Sequence, residues 1–208
     1  MFMRTVANNT VRRLSLYLRF LEDFQHQGAT TVSSEALASR GGTTSAQVRK
    51  DLSFFGSFGK RGLGYSVPQL IKRLREILGL GRHYRVVVVG AGKVGSALVQ
   101  YRGFRDRGFD IVAIFDHDTT KVGQAWDGLT VRNVSELEHD CGTLDPDIGV
   151  IVTPAEAAQG IADRMVACGV KAILNFAPVQ LQVRDGVTVK AVNLVLELEA
   201  LSYALASR

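Results

Sequence analysis

Apolar residues near the start of the chain recur at helical spacing. They are separated by three, four and three residues: Val11, Leu14, Leu18 and Leu21. This spacing places them on one face of a helix, and Gly28 is a typical helix terminator. The pattern therefore predicts a first helix from Thr10 to Gly28.

Two shorter helices are predicted after it, each with a polar residue at its start. Ser33 or Ser34 can cap the first of these, and a pair of glycines ends it. Thr44 and Gln47 have the spacing of a capping box, in which each side chain binds a free backbone amide at the start of the next helix.

The third helix, which is predicted to end near Phe55, has two different faces. Val48 and Leu52 share its inner side with Phe55 and should pack against the first two helices. The outer side is small, polar and basic, and carries Ala46, Gln47, Arg49, Lys50 and Ser53. Such a face suits the major groove of DNA, where Gln pairs with adenine and where Arg or Lys pairs with guanine or phosphate.

A basic hairpin is predicted next. Two short aromatic-bearing segments flank a turn with Lys60 and Arg61, and these cations can enter a flanking minor groove. Each cation taken alone is better explained as a solvated surface charge, but the helix face and the hairpin tip together favour DNA. The layout predicts a winged helix over residues 1–84, with its helix-turn-helix at about 17–56. A further helix opens at Pro68.

From Arg85 onward the pattern changes to alternating strands and helices. Val86 to Val89 form an unbroken apolar run, as a strand buried on both faces requires. Further strands are predicted at Ile111–Phe115, Ile148–Val152, Ala172–Asn175 and Val187–Val189, with helical stretches that include Ala155–Cys168. The predicted fold class is therefore α/β, with a Rossmann-like parallel sheet over residues 85–208. A final apolar stripe follows at Leu194, Leu198, Leu201 and Leu205.

The valine run leads directly into a glycine motif, Gly90-Ala91-Gly92-Lys93-Val94-Gly95. In a dinucleotide-binding turn, the first glycine permits the tight turn, the second lets the backbone approach a pyrophosphate, and the third lets helix and strand pack closely. The strand before the motif and the helix after it are the context that this mechanism needs. The alternative is a glycine-rich turn required for packing alone.

Asp116 closes the second strand, 21 residues after Gly95. A carboxylate there can accept hydrogen bonds from both hydroxyls of an adenosine ribose. With Asp118 close by and His117 between them, a 2′-phosphate would be repelled, so the site predicts NADH and NAD⁺ rather than their phosphorylated forms. The competing interpretation is that Asp116 only caps the strand end.

Charge divides the chain at the same place as the hydrophobic pattern. The 208 residues carry a formal net charge of +5, but residues 1–84 hold 13 basic and 5 acidic side chains, and residues 85–208 hold 12 and 15. A basic module beside a mildly acidic one predicts that the first meets a polyanion. No apolar run approaches the roughly 18 residues of a membrane span, which predicts a cytoplasmic protein without a membrane partner.

An NAD-dependent oxidoreductase with an accessory DNA-binding domain is the main competing function. A dehydrogenase needs a substrate pocket and usually a proton donor or acceptor beside the nicotinamide. The nucleotide-binding fold nearly fills residues 85–208, and no tyrosine has a lysine four residues later. These observations favour a protein that is not an enzyme and that reads NADH as a signal. A winged-helix regulator whose second domain binds another nucleotide, or only dimerises, is the third alternative.

Four segments match a known family in order: Gln47 to Gly56, Lys60 to Tyr65, Gly90 to Gly95 and Asn175 to Pro178. Over essentially its whole length the chain resembles the redox-sensing transcriptional repressors of the Rex family. The resemblance implies a homodimer whose winged helices bind a palindromic operator in double-stranded DNA when NADH is scarce, and which NADH releases. It also implies that the last helix is exchanged between subunits, to which an ordinary docked helix is the alternative.

The same resemblance implies roles for individual residues. The surroundings of the nicotinamide match Thr153, Pro154, Asn175, Phe176 and Pro178. The positions that relay the redox state match Arg19, Tyr101 and Asn193, but the family usually has an aspartate at the last of these. An amide can hydrogen-bond to Tyr101 but cannot form an ion pair with Arg19, so altered or lost redox discrimination is a further alternative.

Overall fold

The computed structural model describes residues 6–60 and 63–207 of the chain, and of Lys60 only the backbone. Arg61 and the side chain of Lys60, which the sequence predicts to contact DNA, lie outside the described residues. The chain divides into two compact units between Arg82 and His83. Each unit has a hydrophobic core of its own.

Helices and a small sheet form the first unit. Its elements are α1 (Asn8–His26), β1 (Thr31–Val32), α2 (Ser34–Gly41), α3 (Ser45–Ser53), β2 (Gly59–Lys60), β3 (Gly64–Ser66) and α4 (Val67–Ile77). The three strands pair antiparallel in the order β1-β3-β2. The β2–β3 hairpin therefore follows three helices, which is the winged-helix layout that the sequence predicts.

The apolar stripe of α1 supplies much of this first core. Leu14, Leu18 and Leu21 are fully buried, and Tyr17 is buried beside them. Val11 has the same helical spacing, but it is exposed because it lies in the first turn of the helix, before the first core residue. Val11 therefore shares the helical spacing of the stripe but not its burial.

The caps of α2 and α3 follow the sequence prediction only in part. Ser33 accepts a hydrogen bond from the amide of Ala36, and Thr44 accepts one from the amide of Gln47, both at 3.1 Å. The side chain of Gln47 does not complete the predicted capping box. It donates instead to the Asp51 carboxylate at 2.8 Å, because a charge-assisted bond one turn along the helix is stronger than the neutral bond of a capping box.

A seven-stranded sheet organises the second unit. Its elements are β4 (Tyr84–Val89), α5 (Lys93–Val99), β5 (Phe109–Asp116), β6 (Ala125–Trp126), β7 (Leu129–Asn133), α6 (Leu137–Leu144), β8 (Ile148–Ile151), α7 (Ala155–Ala167), β9 (Ala172–Asn175), β10 (Thr188–Ala191) and α8 (Leu194–Ala206). The strand order is β10-β9-β8-β4-β5-β7-β6, and β6 pairs antiparallel with β7 while the other described pairs are parallel. The sequence pattern misses β6 and β7, which have no sustained apolar run.

The valine run of β4 serves both faces of the sheet. Val87 and Val89 belong to a core that α6 and α7 cover. Val86 and Val88 belong to the opposite face, where the packed helix residues come from α5. An unbroken apolar run is therefore required because Val86 to Val89 are buried on both faces of the sheet.

The last helix, α8, is apolar but has no cover within the described chain. Its stripe of four leucines is 61–71% exposed: Leu194, Leu198, Leu201 and Leu205. The structure therefore does not dock this stripe on the rest of the described chain. Neither α8 nor any other described helix is long and apolar enough to cross a membrane.

Candidate functional site

The predicted nucleotide-binding residues lie along one edge of the sheet of the second unit. Val89, at the end of β4, is in register with Phe115 of β5 and with Ile151 of β8, and Ile151 is in register with Asn175 of β9. The residues that follow these strand ends therefore meet at the carboxyl edge of four adjacent strands. Ligands of open α/β sheets bind at this edge, where the strand order reverses.

The three glycines after β4 have different surroundings. Gly90 has a φ of +113°, and a side chain there would place its Cβ 2.5 Å from the carbonyl oxygen of Val152. A Cβ at Gly95 would collide with the carbonyl oxygen of Gly90. At Gly92, by contrast, no atom lies within 4 Å of such a Cβ. Packing alone explains Gly90 and Gly95 but not Gly92, whose open side is where a pyrophosphate would approach.

Asp116 joins the end of β5 to this glycine turn. The carboxylate is only 4% exposed, and it accepts hydrogen bonds from the amide of Ala91 at 2.6 Å and from the amide of Asp118 at 2.8 Å. Burial alone would raise the pKa of Asp116, but these two amides and the ammonium group of Lys121 hold the pKa below its ordinary value. The carboxylate is therefore ionised beside the turn at neutral pH, while Lys93 and Val94 lie exposed at the start of α5.

Lys121 is a neighbour of this carboxylate that the sequence interpretation overlooks. Its Nζ lies 3.3 Å from Oδ2 of Asp116 and 3.5 Å from Oδ2 of Asp118. The sequence signal for this contact is the spacing of Asp118 and Thr120, which is typical of a turn. In the structure, Oδ1 of Asp118 accepts hydrogen bonds from the amide and the hydroxyl of Thr120, and this turn brings Lys121 back towards Asp116. The site is therefore less negative than Asp116 and Asp118 alone suggest.

Thr153 follows β8 and has an unpaired polar atom. Its Oγ1 is buried, and no hydrogen-bond partner reaches it among the described residues. A buried hydroxyl without a partner costs about 1–3 kcal/mol, which a bound ligand with a polar group would recover. Pro154 lies exposed beside it and precedes α7.

Asn175, which the resemblance places near the nicotinamide, has its whole side-chain amide engaged by the backbone. Its Oδ1 accepts from the amide of Ala177 at 2.9 Å, and its Nδ2 donates to the carbonyl of Val179 at 2.8 Å and to that of Ala177 at 3.2 Å. Asn175 therefore shapes the turn after β9. The surface of that turn is provided by Phe176, which is half-buried, and by Pro178, which is exposed.

The first unit presents the predicted DNA-reading face on α3. Ala46, Arg49, Lys50 and Ser53 are exposed, and Gln47 is half-buried. Nη1 of Arg49 donates to the hydroxyl of Ser34 at 3.0 Å, and the Ser53 hydroxyl donates to the carbonyl of Lys50 at 2.9 Å. The helix ends at Ser53 rather than near Phe55, which is only half-buried. The structure thus brings the five predicted helix residues onto one short element.

Asp51 lies behind this face, and sequence reasoning misses it. It is 3% exposed, and the guanidinium of Arg13 donates to both carboxylate oxygens, at 2.6 and 2.8 Å. The hydroxyl of Tyr17 donates to it at 3.0 Å, and the amide of Gln47 at 2.8 Å. Burial and the bond to Asp51 raise the pKa of Tyr17 to about 12. The sequence signal that could have identified Asp51 is its position on the inner side of α3, three residues after Val48.

The three residues of the predicted redox relay are all exposed. Arg19 lies on α1 of the first unit. In the second unit, the ring of Tyr101 packs edge-on against Phe104 with centroids 5.1 Å apart. Asn193 caps α8, because its Oδ1 accepts from the amides of Val195 and Leu196 at 3.0 and 3.4 Å. Aspartate caps a helix as well as asparagine does, so this local role does not explain the asparagine.

Comparison with known proteins gives matches to both units. A family model described as "CoA binding domain" matches residues 82–179, and one described as "Putative DNA-binding protein N-terminus" matches residues 5–53. The chain is 50% identical over 198 residues to the redox-sensing transcriptional repressor Rex of Carboxydothermus hydrogenoformans, and the match covers 95% of each chain. It is 46% identical over 200 residues to Rex of Streptomyces coelicolor, which covers 96% of this chain and 78% of that one.

Two solved structures of RSP, a Rex-family repressor, are similar to the whole chain. The complex of RSP with β-NAD⁺ and operator DNA has a TM-score of 0.93 at 36% identity, and covers 99% of this chain and 94% of that one. The complex with β-NADH has a TM-score of 0.89 at 35% identity, and covers 99% and 96%. The similarity therefore extends over the fold of both units.

Proposed function

The chain belongs to the Rex family of redox-sensing transcriptional repressors, and from this premise we propose that its first unit binds operator DNA and that NADH bound to its second unit releases that DNA. The observation that carries the proposal is the joining, in one chain, of two sites of different chemistry. One is an exposed basic helix face, and the other is a glycine turn with a buried carboxylate beside it.

The second unit would hold the dinucleotide by groups that lie at the carboxyl edge of its sheet. The open side of Gly92 and the amides at the start of α5 suit the pyrophosphate, with Lys93 nearby. Asp116 suits the adenosine ribose, and the unpaired hydroxyl of Thr153 suits a polar group at the nicotinamide end. Phe176 and Pro178 would line that end. The dinucleotide acts here as a regulatory ligand, and we propose that the protein does not transfer hydride from it.

The first unit would place α3 in the major groove of the operator. Recognition helices contact base edges with the residues of their N-terminal half, which here include Ala46, Gln47 and Arg49. Lys50 and Ser53 would contact phosphate or bases further along, and the hairpin cations Lys60 and Arg61 would follow the neighbouring minor groove.

A homodimer with exchanged α8 helices would explain two complementary apolar surfaces in the second unit. One is the exposed leucine stripe of α8. The other is an apolar groove of about 300 Å³ on the sheet face opposite α6 and α7, lined by residues that include Val86, Val88, Leu98, Ile148 and Val150. A partner's α8 would bury both surfaces, and a two-fold dimer would match a palindromic operator.

The dimer can be tested by placing a charge in the leucine stripe. We expect Leu198→Asp to shift the protein from dimer to monomer in analytical ultracentrifugation, because the carboxylate would be buried without a partner. Glu199→Gln, one residue along the same helix, is the matched control and should remain dimeric. A Leu198→Asp protein with unchanged mass would rule out α8 as the dimer contact.

The relay residues would join the two sites, and Asn193 is where this chain departs from its family. We propose that the relay here acts through hydrogen bonds alone, since an amide cannot form an ion pair with Arg19. Asn193→Asp should then change the NADH concentration at which DNA is released, while α8 keeps its cap. An identical dose curve would show that the residue has no part in the relay.

The whole proposal is tested by operator release. The probe is a fluorescent duplex with a palindrome that the protein selects from random DNA, and its anisotropy is followed during titration with NADH, NAD⁺ or NADPH. We expect saturating NADH to lower DNA affinity by at least about tenfold, within the usual range of coupling between two sites. NAD⁺ and NADPH should have much smaller effects. Unchanged DNA affinity at saturating NADH would contradict the proposal.

A further inference from the structure

The reading face contains one side chain whose orientation is set from inside the protein. We infer that Asp51 is a positioning residue that turns the Gln47 amide so that its carbonyl oxygen faces DNA, which gives the protein a preference for adenine or cytosine at one position of each operator half-site. The inference rests on the proposed function, because it concerns how the DNA-reading face chooses its bases.

Gln47 occupies a reading position on α3. It is the third residue of the helix, and its backbone amide donates to the Thr44 cap at 3.1 Å. Residues at the N-terminal end of a recognition helix contact base edges. Gln47 is half-buried, and no hydrogen-bond donor among the described residues reaches its Oε1. The carbonyl oxygen is therefore left for a partner outside the protein.

The other end of the same amide is committed to Asp51. Nε2 of Gln47 lies 2.8 Å from Oδ1 of the carboxylate. An ionised carboxylate only accepts hydrogen bonds, so the amide cannot flip without setting two oxygens against each other. Because Nε2 lies 2.8 Å from an oxygen of the buried Asp51 carboxylate, that bond also holds Nε2 away from the bases of a bound DNA groove.

Asp51 cannot move to release Gln47, because two other side chains bind it. Arg13 grips both carboxylate oxygens, at 2.6 and 2.8 Å, and Tyr17 donates to Oδ2 at 3.0 Å. With the bond from Gln47, the carboxylate accepts four hydrogen bonds, about as many as its two oxygens can take. Burial opposes ionisation of Asp51, but these bonds outweigh it and hold the pKa below its ordinary value. The group therefore stays charged and in place.

A fixed acceptor reads DNA differently from a free glutamine. A free glutamine pairs with adenine through two bonds, accepting from N6 and donating to N7. The bond to Asp51 occupies one of the two N–H groups of Nε2 and holds that nitrogen beside the buried carboxylate, so we take Oε1 as the atom that meets the bases. Both adenine N6 and cytosine N4 offer a donor to that oxygen in the major groove. Guanine and thymine offer acceptors there, which the Gln47 oxygen and the nearby Asp51 charge both repel. The preference should thus be for an amino base, either adenine or cytosine.

Selection from a random duplex library measures this preference position by position. For the wild-type protein we expect one position per half-site at which adenine and cytosine are both enriched over guanine and thymine. Gln47→Ala should flatten that position alone. Asp51→Asn should admit guanine and thymine there, because its amide lets Gln47 flip. Tyr17→Phe is the matched control, since it removes one hydrogen bond from the same cluster but leaves Arg13 and Gln47 bound to Asp51, and its base profile should match that of the wild type.

A second measurement uses only the wild-type protein and so does not depend on any variant folding. At an adenine in the Gln47 position, purine lacks the 6-amino group and 7-deazaadenine lacks N7. We expect the first analogue to lower affinity about tenfold and the second to leave it unchanged. Equal losses with both analogues, or a profile that admits adenine alone, would overturn the inference while leaving repressor function intact. A protein that selects no palindrome would overturn both.

Discussion

Each unit contains one almost fully buried aspartate, and the two differ in what surrounds the charge. Asp51, in the first unit, is 3% exposed, and Asp116, in the second, is 4% exposed. Three side chains donate all four hydrogen bonds of Asp51, from Arg13, Tyr17 and Gln47. Two backbone amides hold Asp116, and Lys121 and His117 each make a longer contact of 3.3 Å.

The difference indicates what each charge is for. A carboxylate holds about four hydrogen bonds, so Asp51 has no capacity left for a ligand and instead fixes α1 against α3. Asp116 is fixed by two amides at the carboxyl edge of the sheet, and its other neighbours, Lys121 and His117, lie at a longer 3.3 Å, so this carboxylate keeps capacity for a ligand. Burial alone therefore does not identify a ligand site, whereas the kind of donor around the buried charge does.

Removing the saturated charge should have the largest effect on folding. Asp51→Ala leaves the Arg13 guanidinium without its partner, and we expect a loss of about 3 kcal/mol in the free energy of unfolding. Asp116→Ala should cost clearly less, because its main donors are backbone amides beside an open site. Urea unfolding of both variants measures this difference. Equal losses would mean that the two charges do the same structural work.

Removing the unsaturated charge should have the largest effect on ligand binding. We expect Asp116→Ala to weaken NADH binding roughly 10- to 100-fold, as the loss of hydrogen bonds to a charged group implies. DNA affinity without nucleotide should not change. Isothermal titration with NADH, and operator binding in its absence, measure the two parts. A variant with normal NADH affinity would show that Asp116 only caps its strand.

The lysine beside Asp116 should have a smaller effect, on selectivity. Lys121→Gln removes the ammonium that offsets Asp116 and Asp118, so a 2′-phosphate would meet more negative charge. We expect the preference for NADH over NADPH to rise about threefold, as the loss of one partly exposed charge allows. Parallel titrations with both nucleotides test this. Lys171→Gln, at the opposite edge of the sheet, is the control and should leave the preference unchanged.

The smallest effect that we predict is the contribution of Asp51 to the loss of stability in acid. Burial opposes the shift, but its side-chain partners hold the pKa of Asp51 below its ordinary value of 3.8. The stability from this group is therefore complete above that value and is lost as pH falls through the lowered pKa. Urea unfolding between about pH 5 and pH 2 should show a shallower decline for Asp51→Asn than for the wild type. Parallel curves would contradict the assignment.

The same contrast explains how far the sequence could predict the molecule. The glycine turn and its strand were predictable, because a strand buried on both faces needs an apolar run and a tight turn needs glycine at Gly90. Asp116 was predictable because its partner, the amide of Ala91, belongs to the motif itself. Local periodicity therefore predicts the position of the glycine turn and of the carboxylate beside it.

The Asp51 cluster was not predictable in this way. Its main partners, Arg13 and Tyr17, lie 38 and 34 residues away in the chain, so only the packing of α1 against α3 brings them together. The capping box at Gln47 was predicted from spacing, and the long-range cluster displaced half of it. The position of Asp51 on the inner side of α3 was a signal in the sequence, but no residue near it in the chain indicates which side chains neutralise its charge.

We propose that a nucleotide bound beside Asp116 controls whether the other unit binds DNA. The most direct test is the fraction of labelled operator bound to the wild type and to Asp116→Ala as NADH is added to both. The wild type should release DNA at an NADH concentration at least about tenfold lower than the variant requires, since the carboxylate's hydrogen bonds to the ribose are worth that much. Release of both proteins at the same NADH concentration would contradict the claim.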